Sequence, residues 1–309
     1  MIFDAHAHLF SRDFYAMLWK QVPSHQGGGA PTDAALRQWL APLGIDLPPA
    51  DPAEHATLLI AQLDEHGVDR MVIFTSLPGE QAAVAAAAKA SAGRLVGYTM
   101  VNPRIPDAVP RARHDLTELD LRGIELFPAM HRFDPSDEQL VYPLYELAAG
   151  LGVPVFCHVG LLRVKLRERL GLRSPFDMRF SDPMLLHRAV ADFPRLNFIL
   201  PHFGCGYLRE ALLLGAACPN VYLDTSSSNE WMKLSPEPMD VRRALELAMQ
   251  AFGPERILFG TDSSVLPRGY RYDVKETLEL AMDELELSGE DRGNIMGGNL
   301  ARLLPAPPE

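Results

Sequence analysis

The sequence predicts a (β/α)₈ TIM barrel, and three of its features support this fold class. Short apolar runs rich in β-branched residues recur eight times along the 309 residues. Stretches with helical periodicity or high alanine content separate these runs. Short strands that alternate with helices indicate right-handed βαβ units and a parallel sheet, and eight of them are enough to close a barrel. An open, doubly wound sheet is the alternative that the number of strands alone does not exclude.

Each predicted strand is between four and seven residues long. In chain order the strands are Ile2–His8, Arg70–Thr75, Arg94–Met100, Leu121–Phe127, Val153–His158, Leu196–His202, Val221–Asp224 and Arg256–Thr261. Helical patterns follow most of them, over Glu54–His66, Gln81–Ala92, Glu138–Ala149, Pro183–Phe193, Val241–Phe252 and Val274–Leu287.

Three longer segments interrupt this alternation, after strands 1, 5 and 7. They are Phe10–Asp51, Val159–Asp182 and Thr225–Asp240. Loops that follow the strands of a barrel lie at its C-terminal mouth, where active sites are built. Since no linker-like or low-complexity segment divides the chain, we predict one domain spanning residues 1–309.

The charge balance disfavours nucleic acid as a partner. The formal net charge is −11, whereas general nucleic-acid binding relies on a basic surface. The longest apolar run, near Ala82–Ala88, is far too short to span a bilayer. We therefore expect no nucleic-acid partner and no membrane association.

The cysteines indicate a reducing compartment. Cys157, Cys205 and Cys218 are odd in number and form no CxxC pair, which argues against a disulfide framework and against a zinc knuckle. A cytoplasmic location is the simplest expectation. Cys157 neighbours a histidine of interest, but strand alternation should turn its thiol outward to pack between barrel and helices.

The first strand carries the most informative motif, Asp4-Ala5-His6-Ala7-His8. Side chains two residues apart on a strand point to the same face. His6 and His8 can therefore ligate one metal ion together. Asp4 is either a carboxylate that orients a ligand histidine or the acceptor of a strand-end hydrogen bond.

Three further polar side chains end predicted strands. His158 ends the fifth strand, His202 the sixth and Asp262 the eighth. Taken singly, each histidine could be a hydrogen-bonded core residue and the aspartate a cap. Their shared position at strand ends favours a metal site at the mouth, and histidines with a carboxylate suit Zn²⁺ better than Mg²⁺ or Ca²⁺.

The motifs of this chain resemble those of the amidohydrolase superfamily. They are DAHAHLF, CHVG on strand 5, PHFG on strand 6 and LFGTDSS on strand 8. GIELFP, VYLDTSSS and the late GGNLARLL are similar to the amidohydrolase-related branch that contains aminocarboxymuconate-semialdehyde decarboxylase. The resemblance covers nearly the whole chain in the right order.

This resemblance implies one divalent metal ion, usually zinc, and assigns roles to the matching residues. His6, His8, His158 and Asp262 would be ligands, and His202 and Asp262 would serve as catalytic acid or base. Many related enzymes carry a lysine on strand 4, where this chain has Glu125. Glu125 is therefore a possible ligand of a second metal, although one metal ion is the preferred interpretation.

The activity expected is hydrolysis of a small carboxylated molecule by a metal-activated water. A non-oxidative decarboxylase of an aromatic or unsaturated acid is the first alternative, since the same residues would serve it. A nuclease of the TatD type and a non-catalytic metal-binding barrel are further alternatives. A homodimer is possible, by analogy with similar barrels.

Recognition of a carboxylate is suggested by the segment after strand 5. Leu161–Phe180 contains six basic residues against two acidic ones, and arginine binds carboxylates in a bidentate manner. Arg163 and Arg179, near the two ends of the segment, are the predicted substrate-binding residues. Five other histidines are expected to be surface or capping groups, namely His25, His55, His66, His114 and His187.

Overall fold

The computed structural model describes residues 1–162, 164–172, 176–227, 229–264 and 266–304. Eight parallel strands form one sheet, in which each strand pairs with the next along the chain. They are β1 (Phe3–His8), β2 (Arg70–Phe74), β3 (Leu95–Val101), β4 (Ile124–Leu126), β5 (Val155–Cys157), β6 (Phe198–Leu200), β7 (Val221–Asp224) and β8 (Ile257–Leu258).

The first strand also meets the last one. The Ala5 amide donates to the Phe259 carbonyl over 2.8 Å, and the Asp262 amide donates to the His6 carbonyl over 2.8 Å. These bonds close the sheet, so the prediction of a (β/α)₈ barrel is confirmed and the open sheet is excluded.

At least one helix follows each strand along the chain. The helices are α1 (Arg12–Trp19), α2 (Asp33–Leu40), α3 (Pro52–Glu65), α4 (Gln81–Ala90), α5 (Ala108–Thr117), α6 (Pro128–His131), α7 (Tyr142–Leu151), α8 (Lys165–Arg169), α9 (His187–Asp192), α10 (Leu208–Ala217), α11 (Val241–Phe252), α12 (Tyr272–Glu284), α13 (Gly289–Gly293) and α14 (Asn299–Leu303). Among the described residues, none of these helices is long and apolar enough to cross a bilayer.

Alternation along the strands separates two apolar layers. On β2, Val72 and Phe74 belong to a cluster inside the barrel, whereas Met71 and Ile73 pack outward against the helices. Cys157 is fully buried in the outer layer, which confirms the packing role predicted for it. The inner cluster fills the barrel beneath the mouth and leaves the strand ends to polar side chains.

The segments after β1 and β5 pack on each other. Leu166, Leu170 and Leu172 join an apolar cluster built mainly by α1 and α2. Two hydrogen bonds fasten the same contact: Arg167 Nη1 to Gln21 Oε1 at 2.7 Å, and Arg169 Nη2 to the Leu43 carbonyl at 2.7 Å. We call α1, α2 and α8 the cap.

The loops after β5 and β6 are also held together. A side chain at Gly160 would place its Cβ 2.4 Å from the carbonyl oxygens of Gly204 and Cys205, and φ there is +81°. Only glycine permits this approach. The Leu161 amide then donates to the Cys205 carbonyl over 2.7 Å, so the segments that follow His158 and His202 have a fixed separation.

Candidate metal centre

Five side chains with metal-ligating chemistry meet at the mouth of the barrel. His6 and His8 lie on β1, His158 directly follows β5, and His202 and Asp262 lie two and four residues after the ends of β6 and β8. Among the described residues, two groups have all their ligating atoms within 4.8 Å of one another, and they share His6: His6, His158 and His202 form one, and His6, His8 and Asp262 form the other. The residues predicted from strand ends therefore converge on one place.

In His6, one ring nitrogen is held by hydrogen-bond partners and the other has none. Its Nδ1 lies 2.8 Å from Asp224 Oδ2 and 3.0 Å from Ser226 Oγ. Its Nε2 is buried without a hydrogen-bond partner and lies 3.8 Å from Asp262 Oδ1. A buried polar atom without a partner costs free energy, and a metal ion at this point would remove that cost.

The other three histidines follow the same arrangement, each through a different partner. His8 Nδ1 lies 2.9 Å from Ser76 Oγ. His158 Nε2 lies 2.9 Å from Glu125 Oε1. His202 Nδ1 lies 2.8 Å from Ser226 Oγ. Each ring therefore has one nitrogen held by an outer polar group, as metal-ligating histidines generally do, and a second nitrogen available to the centre.

Burial keeps these imidazoles neutral. It lowers the pKa of His8 to about 3 and also lowers the pKa of His6, His158 and His202. For His6, His8 and His158, the charge of neighbouring histidines lowers the pKa further. A neutral imidazole has a lone pair to give to a cation, so the centre is suited to bind one.

Two site residues have unusual backbone conformations. The φ angle is +58° at His202 and +57° at Asp262. The left-handed region is strained for residues other than glycine, and such residues cluster at functional sites. The turns at the strand ends therefore hold the His202 and Asp262 side chains at the site through a backbone conformation that is unfavourable for these residue types.

Asp224 and Ser226 were missed by reasoning from the sequence. Both are fully buried. Asp224 ends β7 and accepts from the Ser226 amide at 2.7 Å and from the Ser226 hydroxyl at 2.6 Å, besides its contact with His6. The polar run after the short apolar strand VYLD was the available signal, but it was used only as part of the family resemblance and as the start of an insertion, with no role given to either residue.

Close packing around Asp224 also explains why residue 260, two positions after the end of β8, is a glycine. A Cβ on Gly260 would lie 2.3 Å from Asp224 Oδ1 and 3.1 Å from His6 Cβ. Glycine at this position lets the segment after β8 approach the carboxylate that holds His6.

Asp4 is not the carboxylate that orients a ligand. It accepts hydrogen bonds from the His6 amide at 2.9 Å and from the Thr261 amide at 3.1 Å, and a third from the Thr261 hydroxyl. Of the two roles considered for Asp4, the structure thus supports the strand-end hydrogen bond. Burial raises the pKa of Asp4 to about 8, although these hydrogen bonds oppose the shift.

Glu125 lies beside the centre but in neither metal-capable group. Its Oε1 contacts His158, and its Oε2 is buried without a hydrogen-bond partner. Burial raises its pKa well above the usual value, and the charges of Glu80 and Asp262 raise it further. The contact with His158 makes Glu125 better suited to orient that ring than to ligate a second ion.

Of the two predicted substrate-binding arginines, the structure describes Arg179, which is not part of this cluster. Arg163 lies outside the described residues. The Arg179 side chain is 83% exposed and pairs with Asp177, with Nη2 and Oδ2 2.6 Å apart. Arg179 faces solvent and already has a carboxylate partner.

Comparison with known proteins places the chain in a family. The family model described as amidohydrolase matches residues 3–306. L-fucono-1,5-lactonase from Burkholderia multivorans is 30% identical over 124 residues, which are 38% of this chain and 40% of the lactonase. A 2-keto-4-carboxy-3-hexenedioate hydratase from Sphingobium is 24% identical over 233 residues, which are 66% of this chain and 64% of the hydratase. The chain thus covers less than two thirds of either relative.

Solved structures share the fold. A zinc-bound amidohydrolase from Burkholderia multivorans superimposes with a TM-score of 0.64 at 19% identity, covering 99% of this chain and 100% of that one. The 5-carboxyvanillate decarboxylase LigW from Sphingomonas paucimobilis has a TM-score of 0.64 at 16% identity, covering 98% of each chain. Because the family match spans almost the whole chain and the histidine–aspartate cluster fits a metal site, the protein belongs to the metal-dependent amidohydrolase family.

Proposed function

We propose that this protein is a metal-dependent hydrolase that acts on a small carboxylated molecule. The observation that carries this proposal is that His6 belongs to two metal-capable groups, one with His158 and His202 and one with His8 and Asp262, while burial lowers the pKa of all four histidines. The lactonase and hydratase relatives both bear names of reactions that add water. Water addition is therefore the chemistry that the site and the relatives support together.

We further propose that the cation is one Zn²⁺ per chain, held by His6, His8, His158 and Asp262. Nitrogen-rich ligand sets with one carboxylate suit zinc. Glu125, proposed from the sequence as a possible ligand of a second metal, would instead accept a hydrogen bond from His158 Nε2. That contact leaves His158 Nδ1 for the ion.

When bound, such an ion acidifies water and polarises a carbonyl oxygen. The chain supplies the proton transfers and the orientation. Asp262 Oδ1 lies 3.5 Å from His8 Nε2, at the edge of the centre where it can orient the attacking water and accept its proton. His202, whose ring centroid lies 4.8 Å from that of His6, adds a second proton-transfer group.

Arg163 and Arg179 remain our proposed contacts for the substrate carboxylate. The Arg179 side chain of its pair with Asp177 is exposed to solvent, and ion pairs that solvent screens contribute little to stability. Exchanging Asp177 for a substrate carboxylate would therefore cost little.

The reaction type is tested with water enriched in ¹⁸O. Zinc-loaded protein is incubated with lactones, esters and amides that each carry a free carboxylate, and with aromatic and unsaturated carboxylic acids. We expect one ¹⁸O atom in the product of a lactone, ester or amide, detected by mass spectrometry. Release of CO₂ without incorporation of ¹⁸O would show a decarboxylase instead.

The metal site is tested by elemental analysis of the protein after zinc-supplemented expression. We expect about one zinc per chain in the wild type, and none in the double variant His6→Ala with His8→Ala, because two ligands are lost. The double variant should keep its circular dichroism spectrum, since the apolar barrel remains intact. A wild-type protein without metal would rule the proposal out.

A further inference from the structure

We propose that Ser226 is a positioning residue that holds His202 in the tautomer with its proton on Nδ1 and its lone pair on Nε2. The role of His202 in proton transfer rests on the proposed function. The tautomer itself follows from the hydrogen bonds of the site.

Ser226 Oγ stands at the junction of three groups. Its distances are 2.6 Å to Asp224 Oδ2, 2.8 Å to His202 Nδ1 and 3.0 Å to His6 Nδ1. The backbone is fixed as well, because the Ser226 amide donates to Asp224 Oδ1 over 2.7 Å. All four residues are buried, so water does not take the place of any partner.

The single hydroxyl proton of Ser226 determines how the other protons are arranged. As a carboxylate, Asp224 can only accept, and its contact of 2.6 Å with Ser226 Oγ requires a proton between the two oxygens. The hydroxyl proton therefore points to Asp224. Ser226 Oγ is left as an acceptor, so His202 Nδ1 must carry a proton and donate it. The opposite arrangement would place two bare oxygens 2.6 Å apart in a buried site.

The same reasoning fixes His6. Its Nδ1 faces Asp224 Oδ2 at 2.8 Å and Ser226 Oγ at 3.0 Å, both of which accept. His6 therefore carries its proton on Nδ1 and leaves Nε2 bare, in agreement with the unpartnered state of that atom. One serine–aspartate pair thus sets the tautomers of both rings.

The tautomer restricts what His202 can do. With a lone pair on Nε2, neutral His202 accepts a proton at the centre and cannot donate a hydrogen bond to polarise a substrate carbonyl. His202 would thus act first as a base.

The test is long-range ¹H–¹⁵N NMR of zinc-loaded protein labelled with ¹⁵N-histidine. Protonated and bare ring nitrogens resonate in separate ¹⁵N ranges, and the His202 signals are assigned by their absence from His202→Asn. We expect His202 of the wild type to be protonated on Nδ1. Protonation of His202 on Nε2 in the wild type would overturn the inference. This measurement requires neither a substrate that is turned over nor a variant of Ser226.

Ser226→Ala tests causation, with Ser227→Ala as the matched control. Ser227 is the adjacent serine, and its hydroxyl contacts Arg271 at 3.3 Å. In Ser226→Ala we expect the Nδ1–H signature of His202 to be lost and kcat to fall roughly 10–100-fold, the usual effect of losing such a partner, with a smaller change in KM. Ser227→Ala should keep the wild-type spectrum and kcat.

An unchanged His202 spectrum in Ser226→Ala would show that the serine does not set the tautomer. If no substrate is turned over even by the wild type, the proposed function fails. The NMR result still decides the assignment of Ser226.

Discussion

At the residue scale, the site depends on partners outside the centre as much as on the ligands. His6, His8, His158 and His202 are each held by a carboxylate or hydroxyl group on another strand or loop. Such contacts fix ring orientation and the position of the proton. His202 differs from the others because its partner, Ser226, also contacts His6, which joins a proposed ligand to a proposed acid–base group.

Replacing His202 separates metal binding from catalysis. We expect His202→Asn to retain zinc, because the proposed ligand set is complete without it. Activity should fall by about two to four orders of magnitude, the usual contribution of a general acid or base. Zinc content by elemental analysis and turnover are measured on the same sample.

The contrary outcome is informative as well. His202 shares a metal-capable group with His6 and His158. Loss of zinc from His202→Asn would therefore identify His202 as a ligand and require a different ligand set.

At the element scale, the segment after β5 has two kinds of arginine. Arg167 and Arg169 hold the cap together through Gln21 and the Leu43 carbonyl. Arg179 lies outside the cap on an exposed turn, where Asp177 caps the turn by accepting from its amide. Among the described residues, the basic character of this segment therefore serves the packing of the cap at Arg167 and Arg169, whereas a role of Arg179 in binding an anion is our proposal.

Substituting Arg179 tests the proposed carboxylate contact. We expect Arg179→Ala to raise KM for a carboxylate substrate about tenfold, which is the loss of one charged hydrogen bond, and to leave KM for its neutral amide analogue nearly unchanged. Arg111→Ala is the matched control, since Arg111 is also exposed and paired at 2.6 Å with an aspartate, Asp107. An equal rise for acid and amide would remove Arg179 from the substrate site.

At the scale of the whole molecule, barrel closure brings the two ends of the chain together. The site combines His6 with Asp262, whose amide bonds to the His6 carbonyl. Below the site, Leu300 and Leu303 of α14 pack on Phe3. The metal centre thus forms only when the complete barrel has closed. A single domain, a homodimer and a cytoplasmic location stay predictions.

Global stability should depend on pH through His55. The expectation that His55 is a surface or capping group was wrong, because it is only 2% exposed and its Nε2 has no hydrogen-bond partner. Burial lowers its pKa to about 4. Between about pH 6.5 and 4 the unfolded chain binds a proton that the folded chain does not, so the free energy of unfolding falls as the pH falls, by up to about 3 kcal/mol from this group.

His55→Gln should lessen this dependence. Urea unfolding at about pH 7 and about pH 5 gives the change in unfolding free energy for both proteins, and we expect the wild type to lose more. Above about pH 6.5 the unfolding free energies of the wild type and of His55→Gln should change with pH in the same way, because His55 is neutral there in both the folded and the unfolded chain. Identical losses between pH 7 and pH 5 would contradict the assignment.

The ends of the strands illustrate where sequence patterns are least reliable. The predicted eighth strand, Arg256–Thr261, is regular only over Ile257–Leu258. The Phe259 amide donates to the Ile295 carbonyl, and the Thr261 amide donates to the Asp4 side chain. Because these amides donate to groups that are distant in the sequence, the regular hydrogen-bond ladder of β8 stops after Leu258. Nothing in the local apolar pattern predicts this.

The sequence by itself determined the barrel and the residues that its strands bring to the mouth. Apolar periodicity specifies which segments are strands and which side chains share a face, and this information is local. It was sufficient to bring His6, His8, His158, His202 and Asp262 together and to turn Cys157 outward. Only the tertiary structure decided the partners of those residues. Asp224 meets His6 across 218 positions of the chain and Ser76 meets His8 across 68, because the barrel brings the ends of β7 and β2 beside the side chains of the first strand, and no local pattern encodes which side chains meet there.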